Sequence, residues 1–194
     1  MELKRIKGKG KRPRLRLIRC DSCHKIFFGT VKIVAAPEDV PPFKVDAVAA
    51  EEDTFLALSA EPKACENNEH PIRMMTKVFE LSPEPPGKIL VKGRNPLLFL
   101  AIVHDLNKEP SWKEEWISTA LEGILREAER RRVSSLALPL LGTRHGSLEN
   151  NRFLMLLRNA LERNPPKNLK RIWLMTPQEG SLRILEIFKT LFLP

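Results

Sequence analysis

Val133-Ser134-Ser135-Leu136-Ala137-Leu138-Pro139-Leu140-Leu141, running into Gly142-Thr143-Arg144-His145-Gly146, is the stretch on which the fold turns. A short apolar run bounded by a glycine-bearing loop reads as a buried strand delivering the chain to a tight turn. Upstream, Trp112, Trp116, Ala120, Ile124 and Ala128 recur every four residues, with Ile117, Leu121 and Leu125 beside them. That spacing predicts a long amphipathic helix with a wide apolar face. Ser111-Trp112-Lys113-Glu114 has the spacing of a capping box at its start. Downstream, the pattern predicts a helix over 148–163, a strand over 171–175 and a last helix over 181–192. Helix–strand–helix–strand–helix demands crossover connections. The expected class is α/β: a three-layer α/β/α sandwich around a mixed sheet.

The first half of the chain is less regular. Residues 25–36 are rich in β-formers, with Gly29 as a break. Pro37-Glu38-Asp39-Val40-Pro41-Pro42 predicts a turn, residues 45–50 a short strand and residues 53–64 a helix. The proline-rich residues 65–88 read mostly as loop with one short strand near 77–81. Residues 89–91 and 99–104 read as buried strands. Two units follow from this reading: a basic arm with a CxxC hairpin over residues 1–26, and an α/β domain over 27–194.

The net charge of +9 is concentrated in that arm. Lys4, Arg5, Lys7, Lys9, Lys11, Arg12, Arg14, Arg16, Arg19 and Lys25 face only Glu2 and Asp21, so residues 1–26 carry +8 and the remainder +1. Such an arm attracts polyanions by counterion release, which makes RNA or DNA a candidate partner for Lys4 to Arg19. A solvated, solubilising tail has the same composition. No apolar run approaches the roughly 20 residues of a membrane span. With three cysteines and no apolar signal core at the N-terminus, the expected location is intracellular, in a reducing cytoplasm.

In open α/β sheets, ligands sit beyond the carboxyl ends of strands, where helix N-termini turn amides outward. Leu141, Gly142, Thr143, Arg144, His145 and Gly146 occupy such a place. The glycines permit close backbone approach, Thr143 adds a hydroxyl, and Arg144 and His145 add charge or a stacking surface. A plain tight turn remains the competing reading of the same residues.

Ser135-Leu136-Ala137-Leu138-Pro139 leading to Gly142-Thr143 resembles the macro-domain signature, in which a strand runs into a phosphate-binding loop. Other landmarks fall in the family's order: Val31-Lys32-Ile33-Val34 before Glu38-Asp39-Val40, then Val45-Asp46-Ala47-Val48, Pro86-Gly87-Lys88-Ile89 and Ala101-Ile102-Val103-His104. The resemblance spans roughly residues 27–194. It implies a domain that binds ADP-ribose or a related nucleotide, with Asp39 at the adenine end, Val40 beside it among the candidate ligand-binding residues, and Gly142-Thr143 at the phosphates. In some members it implies removal of ADP-ribose, a role that would fall to Asp53 as acid/base. Departures are equally plain. Ala50-Glu51-Glu52-Asp53 stands where the family has Asn-Ala-Ala-Asn, the Gly-Gly-Gly-Val loop has no counterpart in residues 59–68, and Arg144 replaces a glycine. Carboxylates near a diphosphate repel it. The resemblance therefore implies a binding module with a degenerate site rather than an unmodified hydrolase.

Cys20-Asp21-Ser22-Cys23 has the look of a zinc knuckle. Cys65 and His70, with His24 as a further candidate, are the available completion of a four-ligand site; reduced, unliganded cysteines are the alternative. His104, inside an apolar strand, reads as a satisfied core histidine. Trp112 and Trp116 are expected on the core face of the long helix.

Overall fold

The computed structural model describes residues 25–58, 82–177 and 181–192. The basic arm (Lys4 to Arg19), the candidate ligands Cys20, Cys23, Cys65 and His70, and the short strand expected near residues 77–81 lie outside these residues. Seven strands form one sheet: β1 (Lys25–Phe28), β2 (Val31–Pro37), β3 (Ala47–Asp53), β4 (Ile89–Gly93), β5 (Leu97–His104), β6 (Ser135–Pro139) and β7 (Arg171–Thr176). Their order is β1-β2-β7-β6-β3-β5-β4. The hairpins β1–β2 and β4–β5 are antiparallel, and the remaining neighbours are parallel. Three helices are described: α1 (Glu114–Arg130), α2 (Asn150–Arg163) and α3 (Ser181–Phe192).

The two-residue period of the strands divides their side chains between two faces. One face (Ile33, Ala49, Phe99, Leu136, Leu138, Ile172 and Leu174) joins Ile117, Leu121 and Ile124 of α1, Phe153 and Leu157 of α2, and Ile184 of α3 in one core cluster. Truncating any of these isoleucines or leucines to alanine would cost about 2–5 kcal/mol. On the other face Val34, Leu100, Ile102, Ala137 and Trp173 are also buried. Both faces are thus covered, as the expected mixed-sheet sandwich requires.

Two local expectations are corrected. The capping box does not form: α1 starts at Glu114 with Lys113 as N-cap and no side-chain cap. Ser111 instead gives its carbonyl to the Asp105 N–H at 2.7 Å, and Glu114 turns to Arg152 of α2 in a two-pronged contact at 2.7–2.9 Å. Trp112 accordingly lies ahead of the helix, partly buried against the core, and Trp116 is half-buried with the ammonium groups of Lys108 and Lys113 at 5.4 and 5.6 Å from its ring centroid. The helix expected from Asp53 does not begin there either. Strand β3 runs on through Glu51, Glu52 and Asp53, and residues 54–57 are a turn.

The sheet is closed at one end and open at the other between β3 and β6. At the closed end the Asp46 carboxylate accepts from the Ser134 N–H (2.9 Å), the Ser134 hydroxyl (2.6 Å) and the Ser135 N–H (3.0 Å). Burial pushes that carboxyl up, but the hydrogen bonds from Ser134 and Ser135 outweigh it and hold Asp46 below its ordinary value. Beyond this clamp β3 and β6 pair only at Ala47–Leu136 and Val48–Ala137. Past that point β3 follows β5 to Asp53–His104, while β6 follows β7 to Pro139–Met175. Pro139 has no N–H with which to prolong the ladder to β3.

Candidate ligand-binding cleft

The split opens at a topological switch point. From β3 the chain moves outward to β5 and β4; from β6 it moves the opposite way to β7. Crevices at the carboxyl ends of such strand pairs are where α/β folds bind ligands. A cleft of about 1160 Å³ lies there, its described lining drawn from β3 (Val48 to Glu51), the end of β6 (Pro139, Leu140), residues 143–151, the end of β7 and α3.

The loop 142–148 is tight and internally bonded. Gly142 has φ +76°, in the left-handed region that costs a side-chain-bearing residue about 1–2 kcal/mol. A Cβ there would collide with Ile117 Cδ1, and one at Gly146 would sit 2.5 Å from the Gly142 carbonyl oxygen. The Leu148 N–H closes the loop by donating to that carbonyl at 3.1 Å. Thr143 donates both its hydroxyl (2.7 Å) and its N–H (3.1 Å) to the Leu140 carbonyl. The Gly142 N–H donates to Oε1 of Glu51 from across the split. The other Glu51 oxygen lies 3.4 Å from Nε2 of His104, whose side chain is 1% exposed against 7% for Glu51. His104 is therefore a core histidine with a partner, and its ring meets that of His145 edge-on at 6.1 Å.

Solved structures with a similar fold include the Oceanobacillus iheyensis macrodomain with ADP, at a TM-score of 0.60 and 12% identity, over 86% of this chain and 92% of that one. The protein has a macrodomain fold. The macro domain of ganglioside induced differentiation associated protein 2 matches at TM-score 0.56 and 11% identity, over 86% of each chain. The macrodomain of Thermus aquaticus DarG matches at 0.52 and 20%, over 75% of this chain and 98% of that one. No family model and no curated protein matches the sequence.

In this fold the residues expected at the site fall into three groups. Thr143, Arg144 and His145 line the cleft, on a loop shaped by Leu141, Gly142 and Gly146. Asp39 lies in a neighbouring recess with Glu38, Thr176 and Pro177, and Val40 is exposed on the same turn. Arg144 reaches Glu38 at 3.7 Å, a pair so exposed that it adds little stability. Asp53 stands apart. It is fully buried, and its carboxylate accepts from the N–H groups of Phe55 (2.6 Å), Ala57 (2.8 Å) and Leu58 (2.9 Å). Glu52 does similar work, accepting from Asp53 and Leu58. Of the three carboxylates expected to repel a diphosphate, only Glu51 lines the described cleft.

Sequence reading missed Asn150 and Asn151 at the start of α2, Thr176 at the end of β7 and Arg183 on α3, all of which line the cleft. Asn150 and Asn151 follow directly on the loop that drew attention, so position alone could have found them. Nothing local marks Arg183, which chain topology brings in. Among the described residues no group of three or more His, Cys, Asp or Glu could hold a metal, and no helix is long and apolar enough to cross a membrane.

Proposed function

We propose that this macrodomain is a binding module for ADP-ribose or a related phosphorylated nucleotide, held in the cleft between the diverging ends of β3 and β6. The observation that carries the reading is the split itself, which sets a cavity of about 1160 Å³ at the switch point of the sheet. Small-molecule sites usually enclose roughly 300–1,000 Å³, so the space suits a ligand of nucleotide size with room for solvent. The Oceanobacillus macrodomain was solved with ADP, and a variant of it with ADPR. In the proposed pose Asp39 and Val40 flank the base, and Thr143, Arg144 and His145 flank the sugar–phosphate portion. Arg144 and Arg183 supply the positive charge. Binding is favoured over turnover because Asp53, the expected acid/base, is buried and bonded to its own backbone turn.

Calorimetric titration of the full chain with ADP-ribose tests the reading. We expect saturable binding weaker than micromolar, since Glu51 and Thr143 leave the loop few donors for a phosphate. Absence of heat at millimolar ligand would remove it. A second reading rests on the +8 charge of residues 1–26: contact between the arm and RNA or DNA, the cleft being vestigial. It predicts an affinity that falls steeply with salt and vanishes on deletion of residues 1–19, whereas salt-independent binding contradicts it.

A further inference from the structure

The bond between Glu51 and Gly142 has a consequence for what the cleft accepts. Gly142 lies three residues beyond the end of β6, where a backbone N–H would otherwise be offered to an incoming anion. That N–H is bonded to a carboxylate of the protein itself. The next donors are engaged as well, since the Thr143 hydroxyl and N–H both go to the Leu140 carbonyl. Glu51 is held from behind by His104 at 3.4 Å, and its side chain is 93% shielded from solvent. The carboxylate is thus a fixed part of the wall rather than a surface group free to swing away.

We propose that Glu51 is a specificity-determining residue, occupying the anion position of the 142–146 loop so that the cleft takes an uncharged, hydroxyl-bearing group there in place of a phosphate. A ligand phosphate at that point meets a like charge in a partly desolvated site and finds the Gly142 donor already used. A ribose hydroxyl meets the opposite situation. It can donate to a carboxylate oxygen, which has lone pairs to spare beyond its bonds to Gly142 and His104. The ligand class is therefore a nucleoside, or a nucleotide whose phosphate is directed away from Gly142 towards Arg144 and Arg183. The inference rests on the nucleotide-binding reading of the cleft and narrows it.

The experiment compares adenosine and ADP-ribose by calorimetry on the full chain, in the unsubstituted protein and in Glu51→Gln. Glutamine keeps the shape and can still accept from Gly142, but removes the charge. We expect the unsubstituted protein to bind adenosine at least as tightly as ADP-ribose. Glu51→Gln should tighten ADP-ribose tenfold or more and weaken adenosine severalfold, because its hydroxyl loses a charged acceptor. ADP-ribose binding tenfold tighter than adenosine in the unsubstituted protein would overturn the inference even if the variant failed to fold. So would a folded Glu51→Gln with an unchanged ratio; in both cases the nucleotide reading would survive. Failure of both ligands on both proteins would remove that reading and this inference with it.

Discussion

Gly142→Ala is expected to destabilise the protein by about 3 kcal/mol, roughly a 10 °C fall in Tm for a chain of this size. Two effects add. A left-handed φ of +76° costs alanine about 1–2 kcal/mol. The new methyl also lands on Ile117 Cδ1 in the core, and overpacking of this kind costs about 1–3 kcal/mol. The two parts separate in a double-mutant cycle. Ile117→Val removes the methyl that is struck, so in that background Gly142→Ala should cost only its backbone share. Urea denaturation of the four proteins measures this, and equal costs in both backgrounds would refute the collision. Gly142 is thus fixed by packing whatever the cleft binds, and substitutions there report on folding before they report on ligand.

Asp53→Ala should cost a similar amount, about 3 kcal/mol, without any change in binding-site chemistry. Three backbone N–H groups at 2.6–2.9 Å lose their acceptor, while the residue's own site is fully buried. Each hydrogen bond to the carboxylate is worth about 1.5–3 kcal/mol, but Phe55 is half-buried and Ala57 and Leu58 are exposed, so water replaces part of the loss, and Leu58 retains Glu52 as a second acceptor. Asp53→Asn keeps one of the two oxygens and should lose about half as much. Thermal and urea unfolding of both variants check the order. A loss below about 1 kcal/mol for the alanine variant would mean that the turn at residues 54–57 does not depend on Asp53.

The main lines of this fold were legible because they follow from periodicity. The four-residue recurrence from Trp116 to Ala128 marked α1, and apolar runs bounded by glycine or proline marked β5 and β6. Gly29 marked the β1–β2 turn. What escaped were features decided by partners distant in sequence. Glu51, Glu52 and Asp53 look wrong for a strand end, yet they continue β3 because their carboxylates find amides in residues 53–58 and at Gly142. Ser111 and Glu114 have the right spacing for a cap, but the Asp105 N–H and the Arg152 guanidinium claim them. The cleft itself was visible only by half. Its 142–146 lip follows from a strand running into glycine. The split depends on register: the Asp46 clamp, two paired positions, then divergence at Pro139. No window of sequence contains both sides of it. In the loop that looked most like a phosphate cradle, the donors of Gly142, Thr143 and Leu148 bond within the protein.

The crevice between β3 and β6 is the proposed ligand site of this macrodomain-fold protein. Backbone amide chemical shifts of the full chain, followed by NMR during titration with ADP-ribose and with adenosine, test it most directly. The account predicts perturbations gathered on residues 39–40, 49–51, 143–151 and 175–176, with the amides of β1 and β4 unmoved. Shifts gathered outside the crevice, or none at millimolar ligand, would contradict it.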